Sequence, residues 1–119
     1  MITLRELDDH ETYFDQLHAD AAPIVLINTF HVALDDAEQL VTVWADDAAF
    51  MKRQPGYISA LLHRGVGGSG TFVNVAAWES VATLRAAFTA PEFQATLARY
   101  PDTAVASPHI FQPVAVTRG

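Results

Sequence analysis

The sequence predicts an α+β domain whose elements run strand, helix, strand, strand, helix, strand. Three observations predict it. Short apolar segments with two-residue alternation lie near residues 24–32, 57–64, 71–78 and 109–116. Apolar residues recur at three- and four-residue steps between the first and second of these and again after the third. Proline, Pro-Gly and glycine-rich breaks separate the segments. This order is the split βαβ, ferredoxin-like pattern, and a length of 119 residues suits one domain.

Residues 1–22 read as an N-terminal helical extension and residues 23–119 as the ferredoxin-like domain. In the extension, Leu4, Leu7, Phe14 and Leu17 fall near helical spacing among Glu6, Asp8, Asp9 and Glu11, which predicts a short amphipathic helix ended by Pro23. In the first strand, Ile24–Val32, even positions place Ile24, Leu26, Asn28, Phe30 and Val32 on one face and odd positions place Val25, Ile27, Thr29 and His31 on the other. Asp35 is the expected cap of the following helix, with Glu38 as its capping-box partner. Leu40, Val41, Trp44, Ala48 and Met51 form its expected buried stripe, and Gln54-Pro55-Gly56 stops it.

Tyr57–Arg64 and Thr71–Trp78 are the second and third strands, joined by the glycine hairpin of residues 65–70. Val81, Leu84, Arg85 and Phe88 follow at helical spacing, Pro91 breaks that helix, and Phe93 and Leu97 suggest a short continuation. The last strand is expected from about His109 to Val116. Two helices cover only one face of a four-stranded sheet. The other carries Val25, Ile27, Val73 and Val75, an apolar patch that water would not tolerate. The sequence therefore predicts a homodimer packed sheet to sheet, a dimeric α+β barrel.

Composition excludes several function classes. The net charge is −7, with one lysine among seven basic residues, so no basic stripe exists to neutralise phosphates and no nucleic acid is expected as partner. The absence of cysteine removes disulfides, thiolate metal sites and a cysteine nucleophile. The acidic N-terminus has no signal-peptide pattern, and no apolar run reaches a membrane span of about 18 residues. A cytoplasmic protein without membrane partners is the expectation.

The third strand carries the most information about chemistry. Phe72, Asn74, Ala76 and Trp78 share a face, so Asn74 sits mid-strand among apolar neighbours, as Asn28 does in the first strand. Asparagine is depleted in strands, and a buried amide without partners costs about 1–3 kcal/mol. Each amide could satisfy a backbone group or a buried water; two pointing into one apolar space suggest a pocket that hydrogen-bonds a ligand. Trp78 could be plain core or, through its indole N–H, a pocket edge. Leu26, Phe30, Trp44, Phe72, Leu84 and Phe88 are the candidates for holding a substrate's apolar body. His63, beside the hairpin, is a candidate general base or a rim residue. Gly65, Gly67 and Gly70 match G-x-G-x-x-G, but between two strands and not ahead of a helix, so they read as hairpin flexibility. Five scattered histidines without paired spacing give no metal site, and no G-x-S-x-G elbow supports a serine hydrolase. The acids fall mostly on helix exteriors.

Gln54-Pro-Gly-Tyr-Ile-Ser-Ala-Leu-Leu-His-Arg64, Phe72-Val-Asn-Val-Ala-Ala-Trp-Glu-Ser80 and Pro91-Glu-Phe93 resemble the antibiotic biosynthesis monooxygenase family over about residues 23–116. The resemblance implies a homodimer with one pocket per subunit between sheet and helices. In its quinone-forming, anthrone-type branch it implies no metal or flavin, with Asn28, Asn74 and Trp78 as catalytic residues and His63 in a slot that holds histidine in some members. It implies a phenolic aromatic polyketide that loses a proton, passes an electron to O2 and forms a peroxide that collapses to a quinone. Leu84 stands where some quinone-forming members carry a tyrosine, so no step assigned to that tyrosine carries over. A related branch cleaves a ring of angucycline-type polyketides with reduced flavin from a partner flavin reductase. Haem-degrading relatives use a tryptophan and a histidine at helix positions that fall near Ala87 and Leu97 here. A dimer that only binds a small ligand is the non-catalytic alternative.

Overall fold

A computed structural model describes residues 1–117; the last two residues of the domain expected over 23–119 lie outside the described residues. Its elements are β1 (Thr3–Leu4), α1 (Tyr13–Gln16), β2 (Ile24–His31), α2 (Ala37–Met51), β3 (Tyr57–Arg64), β4 (Thr71–Trp78), α3 (Val81–Phe88), α4 (Pro91–Thr96) and β5 (Val105–Phe111). The sheet order is β1-β5-β2-β4-β3. Strands β5, β2, β4 and β3 are antiparallel neighbours in the ferredoxin-like order, and β1 joins β5 in parallel. Even positions of β2 and β4 face the helices. Phe30 and Phe72 pack with Leu40, Val43 and Ala106, while Ile24, Ala76 and Trp78 pack with Val81, Leu84 and Ala87. Among the described residues no helix is long and apolar enough to cross a membrane.

The N-terminal segment differs from its expected helix. Backbone donors of Thr3 and Arg5 bond the Ala104 and Ala106 carbonyls, which makes a strand of its start. The Asp8 carboxylate then accepts from the His10 and Glu11 amides, a local turn that competes with helix, so only Tyr13–Gln16 coils. Leu7 and Phe14 stay exposed, and Tyr13 and Leu17 are the residues that bury.

The same segment closes the sheet edge. The Gln16 side-chain amide pairs with both backbone groups of Ile110, at 2.9 Å each way, as a further strand would. Pro108 shares the parity of Ala104, Ala106 and Ile110, so its missing N–H faces this edge and costs no bond to β2. Proline is thereby tolerated inside β5, which runs from Val105 and not from about His109 to Val116.

Two further expectations shift. Helix α2 is entered through a 3-10 turn, Leu34–Asp36, and neither Asp35 nor Asp36 caps it through its side chain; Asp36 instead accepts from the Thr103 hydroxyl at 2.7 Å. The buried stripe of α2 is Leu40, Val43, Asp47 and Phe50, with Trp44, Ala48 and Met51 half-buried and Val41 exposed. The inward arc of the helix therefore contains an acid. Helix α3 begins on a capping box between Ser80 and Thr83. Gly56, at φ +85°, passes so close to Thr83 that a Cβ would lie 2.4 Å from its side chain, which fixes the turn after α2 against α3.

The face away from the helices carries half-buried Val25, Ile27 and Val73, with Val75 37% and Leu61 60% exposed.

Candidate active site

Asn28 and Asn74 are directly opposed in the β2–β4 ladder, with Pro108 and Leu62 as their outer neighbours in the same row. Period-two alternation turns both amides toward the helices, where they line a cavity of about 90 Å³ that is partly open to solvent. Both Oδ1 atoms are buried and lack a hydrogen-bond partner. In a native fold such atoms are rare, and each calls for a ligand or water.

Trp78, the last residue of β4, is 2% exposed and meets Tyr57 edge-on at 5.6 Å. Leu84 and Phe88 of α3 continue this wall. Tyr13 packs against Phe88 edge-on at 5.2 Å and also lines the cavity, its hydroxyl buried without a partner. Burial pushes the Tyr13 hydroxyl well above the usual phenol range, so it stays protonated and is a neutral donor.

Asp47 of α2 lines the cavity at 5% exposure. Its Oδ2 accepts from the Tyr100 hydroxyl at 2.6 Å and its Oδ1 from the Thr96 hydroxyl. Tyr100 is fixed by stacking on Phe30, ring planes 10° apart at 6.3 Å. Desolvation raises the Asp47 carboxyl above the usual carboxylate range, and the two hydroxyls pull the other way. Burial beside this carboxylate pushes the Tyr100 phenol far upward.

The fold thus brings together Asn28, Asn74 and Trp78, and with them Leu26, Phe30, Trp44, Leu84 and Phe88. Phe72 is core beneath the Arg64 guanidinium, 5.1 Å from its ring centre, and does not line the cavity. His63 is not brought to the cavity either. It pairs with Val73 on the outer face, is exposed, and its Nδ1 lies 3.2 Å from the Val73 carbonyl. Among the described residues no histidine lines the cavity, and Ala87 and Leu97 offer no ligating atom, so the residues do not fit haem degradation. Among the described residues no three His, Asp or Glu side chains gather as a metal site needs. Tyr13 and Asp47 were missed by sequence reasoning.

The antibiotic biosynthesis monooxygenase family model matches residues 23–99. The structure is similar to that of SnoaB, a cofactor-independent oxygenase from Streptomyces nogalater, at 26% identity over 81% of this chain and 97% of that one, with a TM-score of 0.71. It is similar to a protein from Shewanella loihica proposed to be a monooxygenase, at 28% identity over 82% and 99% of the two chains, TM-score 0.69. A Caulobacter crescentus structure at 22% identity, covering 79% and 92% with a TM-score of 0.71, shows the shared fold alone. No curated protein matches.

Proposed function

The chain belongs to the antibiotic biosynthesis monooxygenase family, and on that premise we propose that it is a cofactor-independent oxygenase converting an electron-rich phenolic aromatic, of the anthrone or hydroquinone class, to a quinone with O2. The observation that carries the reading is the pair of opposed, unpartnered amides of Asn28 and Asn74 in a mostly apolar cavity. Amide rotation exchanges acceptor for donor, so the pair can accept from a phenol and donate to the enolate or peroxide that replaces it. Trp78 gives a flat wall and an indole N–H, and Tyr13 adds a neutral hydroxyl.

For an anthrone, the ring methylene and one molecule of O2 become a ring carbonyl and one molecule of water. Loss of one proton leaves a delocalised carbanion. It passes one electron to O2, and the radical and superoxide combine to a peroxide that loses water. The mostly apolar walls limit the access of water to the anion. Similarity to SnoaB, a cofactor-independent oxygenase, supports the absence of a bound cofactor.

The outer sheet face, with Leu61 and Val75 exposed, is the surface a homodimer would cover; light scattering of the purified protein is expected to give twice the chain mass. The function is tested by incubating the protein with anthrone in air and under nitrogen, with and without reduced flavin. Oxygen uptake and anthraquinone formation above the no-enzyme rate, without flavin, are expected. Product formed only with reduced flavin would instead favour the ring-opening branch, and none under either condition would overturn the oxygenase reading.

A further inference from the structure

We propose that Asp47 is the catalytic base of this cavity: it takes the proton whose loss generates the substrate carbanion and returns it to the peroxide anion. The proposal rests on the oxygenase reading above and supplies the proton acceptor that reading lacks once His63 is outside the cavity.

A buried acid needs opposite charge or hydrogen-bond donors to offset its lost hydration. Asp47 points inward from the middle of a 15-residue helix, the side of α2 that otherwise buries Leu40, Val43 and Phe50. Carboxylates are rarely buried without a cation, because losing hydration costs several kcal/mol that only close opposite charge recovers. Here no guanidinium pairs with it directly: Arg99, which acts on it through space, pairs with Asp46, one residue away, at 2.7 Å. Asp47 has two neutral hydroxyls instead, and a neutral side chain at this position could bond the same hydroxyls without the desolvation penalty. A charge kept under these terms is commonly functional.

Its surroundings suit proton transfer. Of the described residues that line the cavity, Asp47 is the one carboxylate, none is a histidine, and burial holds Tyr13 and Tyr100 protonated. Thr96 on α4 and Tyr100 face its two oxygens, Arg99 acts from the turn after α4 and Asp46 from its own helix; across the cavity the sheet offers the amides of Asn28 and Asn74 and the side chain of Tyr57. Thr96 and Tyr100 are positioning residues that fix both oxygens while leaving a lone pair on each. Desolvation raises the Asp47 carboxyl and so strengthens it as a base, which narrows the gap to a weakly acidic phenol or benzylic carbon.

The step closes on itself. The Asp47 carboxylate takes one proton from the substrate methylene, giving the carboxylic acid and the carbanion. One electron passes to O2, and the carbon radical and superoxide join through a new C–O bond as a peroxide anion. The acid then protonates this anion, restoring the carboxylate. The hydroperoxide loses its remaining C–H proton as the O–O bond breaks, leaving the ketone and water.

The test is deuterium exchange at the anthrone methylene in heavy water under nitrogen, followed by proton NMR, alongside aerobic turnover. The wild type is expected to accelerate exchange, and Asp47→Asn to lower both exchange and kcat by about 10²-fold or more with KM nearly unchanged. With a nitro-substituted hydroquinone already ionised at the assay pH, the loss in kcat is expected to shrink below about tenfold, since no base is needed. Tyr100→Phe keeps the carboxylate but removes a donor to it, and should move the limb of the pH–rate profile to higher pH. Equal losses on both substrates, or exchange unchanged by Asp47→Asn, would overturn the proposal. So would the lack of any wild-type exchange above background. Exchange that depends on Asp47 in a protein that consumes no O2 would keep the base and discard the oxygenase reading.

Discussion

Two sets of polar groups share this cavity and are treated differently by the fold. Asn28, Asn74 and Tyr13 each bury a polar atom with no partner, whereas both oxygens of Asp47 hold a hydroxyl. The unpartnered set consists of neutral dipoles, which can wait empty at a cost of about 1–3 kcal/mol each. A buried charge cannot be left that way and must be anchored before any ligand arrives. The difference separates parts made for a ligand from the part made ready in advance, and substitutions on the two sides should therefore behave in opposite ways.

The largest effect is expected on the unpartnered side. Asn74→Ala and Asn28→Ala should each lower kcat/KM for anthrone oxidation by about 10²–10³-fold, as loss of one preorganised hydrogen-bonding group to a developing oxyanion does elsewhere. Full activity in both would remove the amide pair from the site.

Stability should respond with opposite signs. Asn74→Val replaces an unpartnered amide by a side chain suited to a strand, and is expected to raise unfolding free energy by about 1 kcal/mol in urea. Tyr100→Phe strips a donor from a buried carboxylate and should lower it by about 1–3 kcal/mol. The same sign for both would dissolve the contrast.

The pH dependence follows from Asp47. Its folded carboxyl lies above the unfolded value, so the folded state binds the proton more tightly. That contribution is complete below the unfolded pKa and is lost as pH rises through the raised folded one. The stability of Asp47→Asn relative to the wild type should accordingly grow as urea titrations move from about pH 4 toward neutrality. A difference independent of pH would mean that burial does not perturb the group.

How much of this was legible follows the same division. Strand parity is local, so the periods place Asn28 on the even face of the first strand and Asn74 with Trp78 on one face of the third, and they also give the order of elements along the chain; that these faces adjoin follows from the pairing of β2 with β4. Asp47 was not legible. An acid in a helix reads as solvent-facing, and its partners lie 49 and 53 residues away on other elements. Tyr13 was hidden because the extension was read as one helix, whereas the Asp8 turn shortens it to four residues and changes which aromatic buries. Whether His63 is a general base or a rim residue could not be decided without the register of β3. A bulge between Tyr57 and Ser59 sets β3 against β4, and only the pairing of Leu62 with Asn74 reveals which parity faces inward.

Smaller effects mark the cavity's margins. Tyr13→Phe removes one hydroxyl from a side chain that is 1% exposed and already packed on Phe88, so the fold should hold or gain slightly. KM should rise by a few-fold while kcat changes little, because a neutral donor to the bound substrate acts about equally in ground and transition states. Loss confined to kcat would give Tyr13 a role in the chemistry itself.

The smallest expected effect is at His63, and it tests the two-sided plan most cleanly. Its ring lies across the sheet from Asn74, with Val73 and not the amide as its ladder partner. The β3–β4 backbone therefore separates it from the reacting atoms, and general acid–base transfer needs contact or one bridging water. His63→Ala should leave anthrone oxidation within about twofold of wild type and keep the shape of the pH–rate profile. A loss of activity well beyond twofold in that variant would return the base to the outer face, and would mean that the substrate binds there and not beneath the helices.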